Sequence, residues 1–283
     1  MSAMAETGSA SLADRLRNAR FEVLPLEGIE EQVRSHLSTD AKVTVTASPK
    51  RGVEPTVDLS ERLTAAGYAT VPHISARLVR DRAHLAELLD RLHAGGVREL
   101  FVLAGDAAEP AGEFPGAVQL LEAMGPRRAD FDAIGITGYP ESHHLISDEE
   151  TIRAMFAKAP MATHIVSQLC FDAATIAAWI AEVRRRGTNL PIWIGVPGNV
   201  GYAKLLRTSM KIGVGESARF LSHRGSWISR LVTRQFKPDR LVRELTACAT
   251  DPAARVAGFH LYTFNEVART EQWRRAALAR ATP

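Results

Sequence analysis

One unit recurs along this chain: a short β-branched or apolar run, a polar loop, then an amphipathic stretch, at intervals of about 30 residues. Phe21 to Pro25 reads as a first strand ended by proline, and Val43 to Thr46 is β-branched throughout. Ser60 to Ala66 reads as a helix closed by Gly67, and Ala69 to Ser75 as the third strand. Arg82 to Ala94 carries apolar residues at helical spacing and stops at Gly95-Gly96. Glu99 to Leu103 is almost continuously apolar, as a strand covered on both faces should be. Gly116 to Met124 is helical, and Phe131 to Gly138 is the fifth strand. Asp148 to Ala157 is a helix, with Ser147 and Glu150 spaced as a capping box. Strands then fall at Thr163 to Gln168, Pro191 to Val196 and Val256 to Thr263, with helices at Asp172 to Arg186 and Ala268 to Ala281.

Eight strands mostly alternating with helices predict a single (β/α)8 barrel. A doubly wound open sheet is the competitor, but no Gly-x-Gly-x-x-Gly follows the first strand. The expected organisation is an N-terminal lead-in over residues 1–19, helical across Ser9 to Arg20, and a barrel domain over 20–283. A barrel of roughly 250 residues is an ordinary single domain, so the 283 residues suffice.

Composition excludes several classes of function. The net charge is +3 and the charged fraction 24%, and the pI near 9.0 comes from a slight excess of arginine. Arg127-Arg128 and Arg184-Arg185-Arg186 are short and sit at helix ends, where cations favour the dipole, so no nucleic-acid partner is expected. No apolar run approaches the roughly 20 residues that span a bilayer, and the N-terminus lacks a signal-peptide core. The two cysteines, Cys170 and Cys248, have no metal-ligand spacing, so no metal centre is expected and a cytoplasmic location is the default.

Barrel sites are built at the C-terminal ends of the strands. Those ends deliver Glu22, Thr46, His73, Gly105-Asp106, Tyr139 to His143, Gln168, and Tyr262 to Asn265. Glu22 is the most pointed of these. It lies between Phe21 and Val23, and a carboxyl buried there has a raised pKa, which suits a general acid near neutrality. The bland alternative is a carboxylate tied to an arginine or lysine inside the barrel. Asp106 could equally be a turn or cap residue, His73 a satisfied polar group, and Tyr262 and Asn265 packing and turn residues. Trp179 and Trp193 read as core and surface packing.

Seven of these segments, in order, resemble the methylenetetrahydrofolate reductase family: Phe21-Glu22 with Pro25, Val43 to Thr46, Pro72 to Ser75, Ala104 to Asp106, Tyr139 to His143, Ser167 to Asp172, and Phe259 to Asn265. The resemblance implies an oxidoreductase that reduces 5,10-methylenetetrahydrofolate to 5-methyltetrahydrofolate, with NAD(P)H reducing a bound FAD. It implies Glu22 as proton donor to the folate and Asp106 as a carboxylate between flavin and folate. By the same resemblance Thr46, His73, Gly105, Tyr139 and His143 would contact FAD, and Gln168 would contact the pterin. Lys158 would be the remaining cofactor cation and Tyr262 a further substrate contact.

The chain also departs from the family pattern. Ala104 stands where the family has the arginine of Arg-Gly-Asp, Ala47-Ser48-Pro49 where it has Tyr-Gly-Ala, and Glu266 where it has an arginine. Lys158 is the only cation near the expected basic pair, with Arg77 and Arg80 as candidate substitutes. Lost cations should weaken FAD binding, because charge-assisted contacts are the strong ones. Two alternatives follow: direct hydride transfer from NAD(P)H without flavin, or a non-catalytic folate- or flavin-binding barrel subunit.

Overall fold

The structure is a computed structural model describing residues 11–141, 147–211 and 235–282. Eight strands pair in parallel and close on themselves. They are β1 (Arg20–Val23), β2 (Lys42–Val45), β3 (Ala69–Ser75), β4 (Glu99–Leu103), β5 (Ala133–Gly138), β6 (His164–Ser167), β7 (Ile192–Pro197) and β10 (Val256–Tyr262). The order around the barrel is β1-β10-β7-β6-β5-β4-β3-β2, so β1 and β10 form the closing seam. There Arg20 lies opposite His260 and Glu22 opposite Tyr262. Beyond the seam, Thr263 Oγ1 donates to the Glu22 carbonyl. Asn265, at φ +64°, accepts from Leu24 N at 2.8 Å and donates to Leu24 O at 3.1 Å.

The helices pack outside this barrel for the reasons visible in their patterns. In α4 (Arg82–Ala94), Leu85, Leu88, Leu89 and Leu92 share one stripe and all are buried, and Asp81 caps the start by accepting from His84 N. In α7 (Ala173–Arg185) the stripe is Ile176, Trp179, Ile180 and Val183, capped by Asp172. The Ser147–Glu150 capping box opens α6 (Asp148–Lys158) as expected. Helix α5 is Ala117–Met124 and the closing helix α11 is Val267–Ala281.

Several local expectations are corrected. The lead-in helix α1 is shorter, Leu12–Arg17, because Ser11 and Asp14 form a capping box and Asn18 ends it; Arg20 belongs to β1. Helix α2 (Ile29–His36) was not foreseen. Helix α3 (Glu54–Ala65) starts before Ser60, with Pro55 in its first turn, where proline's missing N–H costs nothing. A two-stranded antiparallel sheet, β8 (Val200–Gly201) with β9 (Gln235–Phe236), follows β7. Helix α8 (Tyr202–Lys211) follows β8 directly, and α9 (Asp239–Glu244) and α10 (Thr246–Thr250) follow β9. No helix among the described residues is long and apolar enough to cross a membrane.

The barrel interior is polar at its base. The Arg20 guanidinium meets Glu99 at 2.5 Å, Lys42 also pairs with Glu99, and His164 Nε2 lies 3.2 Å from the same carboxylate. Trp193 was expected on the surface. Its ring instead lies 3.6 Å beneath the Arg20 guanidinium carbon, inside the barrel. Trp179 is buried, and a Cβ at Gly138 would come within 2.5 Å of its ring.

Candidate active site

Glu22 faces inward one layer above this base. Its Oε2 lies 3.0 Å from His260 Nε2 and 4.0 Å from His73 Nε2. Among the described residues no arginine or lysine pairs with it; the carboxylate tied to cations inside the barrel is Glu99. Burial therefore decides its ionisation. Loss of hydration raises the Glu22 pKa to about 7, against a small opposing pull from His73. The side chain still keeps 14% of its surface accessible, so a ligand can reach it.

The two histidines are neutral for the same physical reason. Burial pushes His73 down to about 4 and His260 to about 3. The His73 ring meets Phe101 edge-on at 4.7 Å, and the His260 ring meets Tyr262 at 4.9 Å. Tyr262 donates to the Ser167 carbonyl at 3.1 Å. Burial, with Glu22 and Tyr139 nearby, holds its hydroxyl well above the usual phenol range. Glu22, His73 and His260 present three ligand-type atoms within 4.8 Å of one another. That spread is wider than a tetrahedral zinc set, whose bonds of about 2.0–2.2 Å bring ligand atoms closer.

The rim adds the remaining residues. Gly105 has φ +89° and a Cβ there would lie 3.0 Å from Ser75 Cβ, so glycine is required where the chain turns toward Asp106. Asp106 is exposed, and its charge helps raise the Tyr139 pKa, although burial is the larger cause. Tyr139 shares a hydrogen bond with Thr137, whose Oγ1 also accepts from Lys158 Nζ at 2.8 Å. Burial lowers Lys158 to about 8. The Gln168 backbone donates to Gly138 O at 2.7 Å, and its side-chain Oε1 accepts from Leu169 N at 2.8 Å. Thr46 is half-buried, and its carbonyl accepts from Thr56 Oγ1 at 3.0 Å.

The placements sort the expected residues. Glu22 and Tyr262 are joined across the seam, and Asp106 and Tyr139 are joined by charge at the rim. His73 is 2% exposed and sits beside Glu22, deeper than a residue at the mouth would be. Arg77 cannot stand in for the lost arginine. Its guanidinium is engaged by the carbonyls of Ala107 at 2.7 Å, Ala108 at 2.6 Å and Pro115 at 3.1 Å. Arg80 bonds Glu54 at 3.4 Å. His143 lies outside the described residues. His260 is the contact to Glu22 that sequence reasoning passed over; its signal was the inward alternation His260–Tyr262 on the last strand.

Comparison with known proteins adds an independent line. A family model described as methylenetetrahydrofolate reductase matches residues 29–222. Methylenetetrahydrofolate reductase 1 of Schizosaccharomyces pombe is 30% identical over 141 residues, 47% of this chain and 23% of that protein. Methylenetetrahydrofolate reductase 2 of Saccharomyces cerevisiae is 26% identical over 184 residues, 61% of this chain and 28% of that protein. The match thus spans about a quarter of the length of these curated relatives. A class V chitinase mutant from Cycas revoluta aligns at a TM-score of 0.49 with 10% identity, covering 92% of this chain and 99% of that one. Glu22 and His260 both lie outside the stretch matched by the family model.

Proposed function

The chain belongs to the methylenetetrahydrofolate reductase family, and from that premise we propose that it reduces 5,10-methylenetetrahydrofolate to 5-methyltetrahydrofolate with hydride from NAD(P)H. The single observation that carries the proposal is Glu22: an inward carboxyl without a cationic partner among the described residues, raised to about 7 by burial. Such a group is protonated near neutrality and can give its proton up. Its proton goes to the folate nitrogen whose bond to the bridging methylene breaks. The methylene becomes an iminium carbon, and hydride adds there to leave a methyl group. NAD(P)H leaves as NAD(P)+, so one hydride and one proton are consumed. Asp106, exposed at the rim, favours the positive charge that develops on the folate. The Gln168 amide, with Oε1 already fixed by Leu169, offers its N–H groups to the pterin. Tyr262 lies between Gln168's strand and Glu22.

FAD is the family's expected hydride carrier, with Thr46, His73, Gly105, Asp106, Tyr139, His143 and Lys158 as its expected contacts. The described residues fit its pyrophosphate poorly. Ala104 brings no charge, Arg77 is engaged by loop carbonyls, and Lys158 is buried against Thr137. A charge-assisted contact contributes about 1.5–3 kcal/mol, so each one missing costs about 10- to 100-fold in affinity. These observations favour a second reading, in which NAD(P)H hands hydride to the folate directly. The test is the visible spectrum of the purified protein, with folate-dependent oxidation of NAD(P)H measured with and without added FAD. Colourless protein with full activity supports direct transfer, and yellow protein retaining flavin through dialysis supports FAD. No folate-dependent oxidation in either case ends the proposal.

A further inference from the structure

His260 lies on the last barrel strand, in the segment that resembles the family's. It is 1% exposed. Its Nε2 lies 3.0 Å from Glu22 Oε2, while its Nδ1 is buried without a hydrogen-bond partner among the described residues. A neutral imidazole carries one N–H and one bare lone pair. Burying a bare N–H costs more than burying an unused acceptor, and orphaned buried N–H groups are rare. The proton therefore belongs on Nε2, where it donates to Glu22 Oε2, and Nδ1 carries the lone pair. His73 Nε2, at 4.0 Å from the same oxygen, is beyond hydrogen-bond reach and likewise has no partner among the described residues.

We propose that His260 is a positioning residue whose Nε2–H occupies Glu22 Oε2, so that the acid proton is carried on Oε1 and presented to the folate. The proposal rests on Glu22 being the acid. Were the proton free to sit on either oxygen and turn inward, part of the population would hold it against the barrel wall. The neutrality of His260 fits this role, because a charged ring would pull Glu22 into its ionised form. The groups facing Glu22 are His73 from β3 and His260 and Tyr262 from β10, with Arg20 and Glu99 in the layer below. Among the described residues none is a cation within ion-pair distance of Glu22 at neutral pH, because burial keeps both histidines neutral there.

Two measurements test the proposal. The first is nitrogen-15 NMR of the wild-type protein labelled at histidine. His260 should be the neutral Nε2–H tautomer from about pH 5 to about pH 8; an Nδ1–H tautomer or a charged ring overturns the proposal. The second compares His260→Leu, which removes the donor, with His260→Gln, whose amide restores one. The leucine variant should lose about 10- to 100-fold in kcat with KM changed less than about threefold. Its alkaline limb should move up by about one pH unit, since a carboxylate deprived of a hydrogen bond is a weaker acid. The glutamine variant should recover most of both. Unchanged kcat and pH profile in the leucine variant, or no recovery with glutamine, overturns the proposal. Glu22→Gln is measured alongside, and full activity there ends the acid assignment itself. Titration of the carbon-13-labelled Glu22 carboxyl in wild type and His260→Leu reads the hydrogen bond without turnover. An unshifted midpoint overturns the role of His260 whatever the activity.

Discussion

Glu22 carries its proton up to about pH 7 in the folded chain but only to the ordinary carboxyl range near 4.5 when unfolded. Between those values the native state binds more protons than the unfolded state, so stability falls as pH rises through that window. The shift corresponds to about 3 kcal/mol. His73 and His260 act in the opposite sense and at lower pH. Their folded pKa values, about 4 and about 3, lie below the unfolded 6.5. They give stability that is present above about pH 6.5 and lost as pH falls through 4. Glu22→Gln isolates the first effect. Relative to the glutamine variant, wild type should lose about 3 kcal/mol between about pH 4 and about pH 8, read by denaturant unfolding across pH. A difference that does not vary with pH would mean that Glu22 is ionised throughout. In catalysis the same substitution should lower folate reduction by about 10²- to 10⁴-fold, measured by rapid mixing, because glutamine keeps the shape but donates no acid proton.

At the scale of elements, the loop after β4 is held by backbone geometry and by Arg77. Gly105→Ala would place a Cβ 3.0 Å from Ser75 Cβ at a φ of +89°. The left-handed conformation alone costs about 1–2 kcal/mol, so melting should fall and Asp106 should be displaced, lowering activity beyond the loss of stability. Arg77→Ala should loosen the same loop, seen as faster amide exchange over residues 104–115, since it removes three contacts to carbonyls. The strands bearing the expected site residues were legible because a parallel barrel demands apolar runs and short loops. Helix α4 was legible from its leucine stripe. Helix α2 was not, because only Ile29 and Val33 of its eight residues are buried and Gly28, in a left-handed conformation, gives it no side-chain cap. The β8–β9 sheet was hidden because two-residue strands carry no period at all. In the site, Glu22 was legible as a charge inside an apolar strand. The partner that touches it was not, because His260 approaches from the far end of the chain, across a seam that exists only once the barrel closes.

The whole barrel couples its base to its site. Glu99 takes three neighbours at once, Arg20, Lys42 and His164, and they hold its carboxyl well below the usual range despite burial. Arg20 is 2% exposed, so its charge depends on Glu99. Removing one partner of a buried pair leaves an uncompensated charge and costs about 3–5 kcal/mol. Glu99→Gln should therefore lower Tm by about 6–20 °C, taking about 2–4 °C per kcal/mol for a domain of this size. Replacing Arg20 and Glu99 together by apolar residues of similar volume should recover much of that loss, because the pair's own desolvation disappears with it. The same single change reaches the site. Arg20 stands two residues below Glu22 on the same face of β1, and its field also acts on His260, where Glu99 opposes it. With Glu99 neutralised, the unopposed guanidinium favours the Glu22 carboxylate, so the Glu22 pKa should fall from about 7. The alkaline limb of folate reduction should then move to lower pH, opposite in direction to the shift expected for His260→Leu. A pH–rate profile of Glu99→Gln, taken below its melting range, checks the sign. An unmoved limb would show that the base supports the barrel mechanically and leaves the acid's ionisation to burial alone.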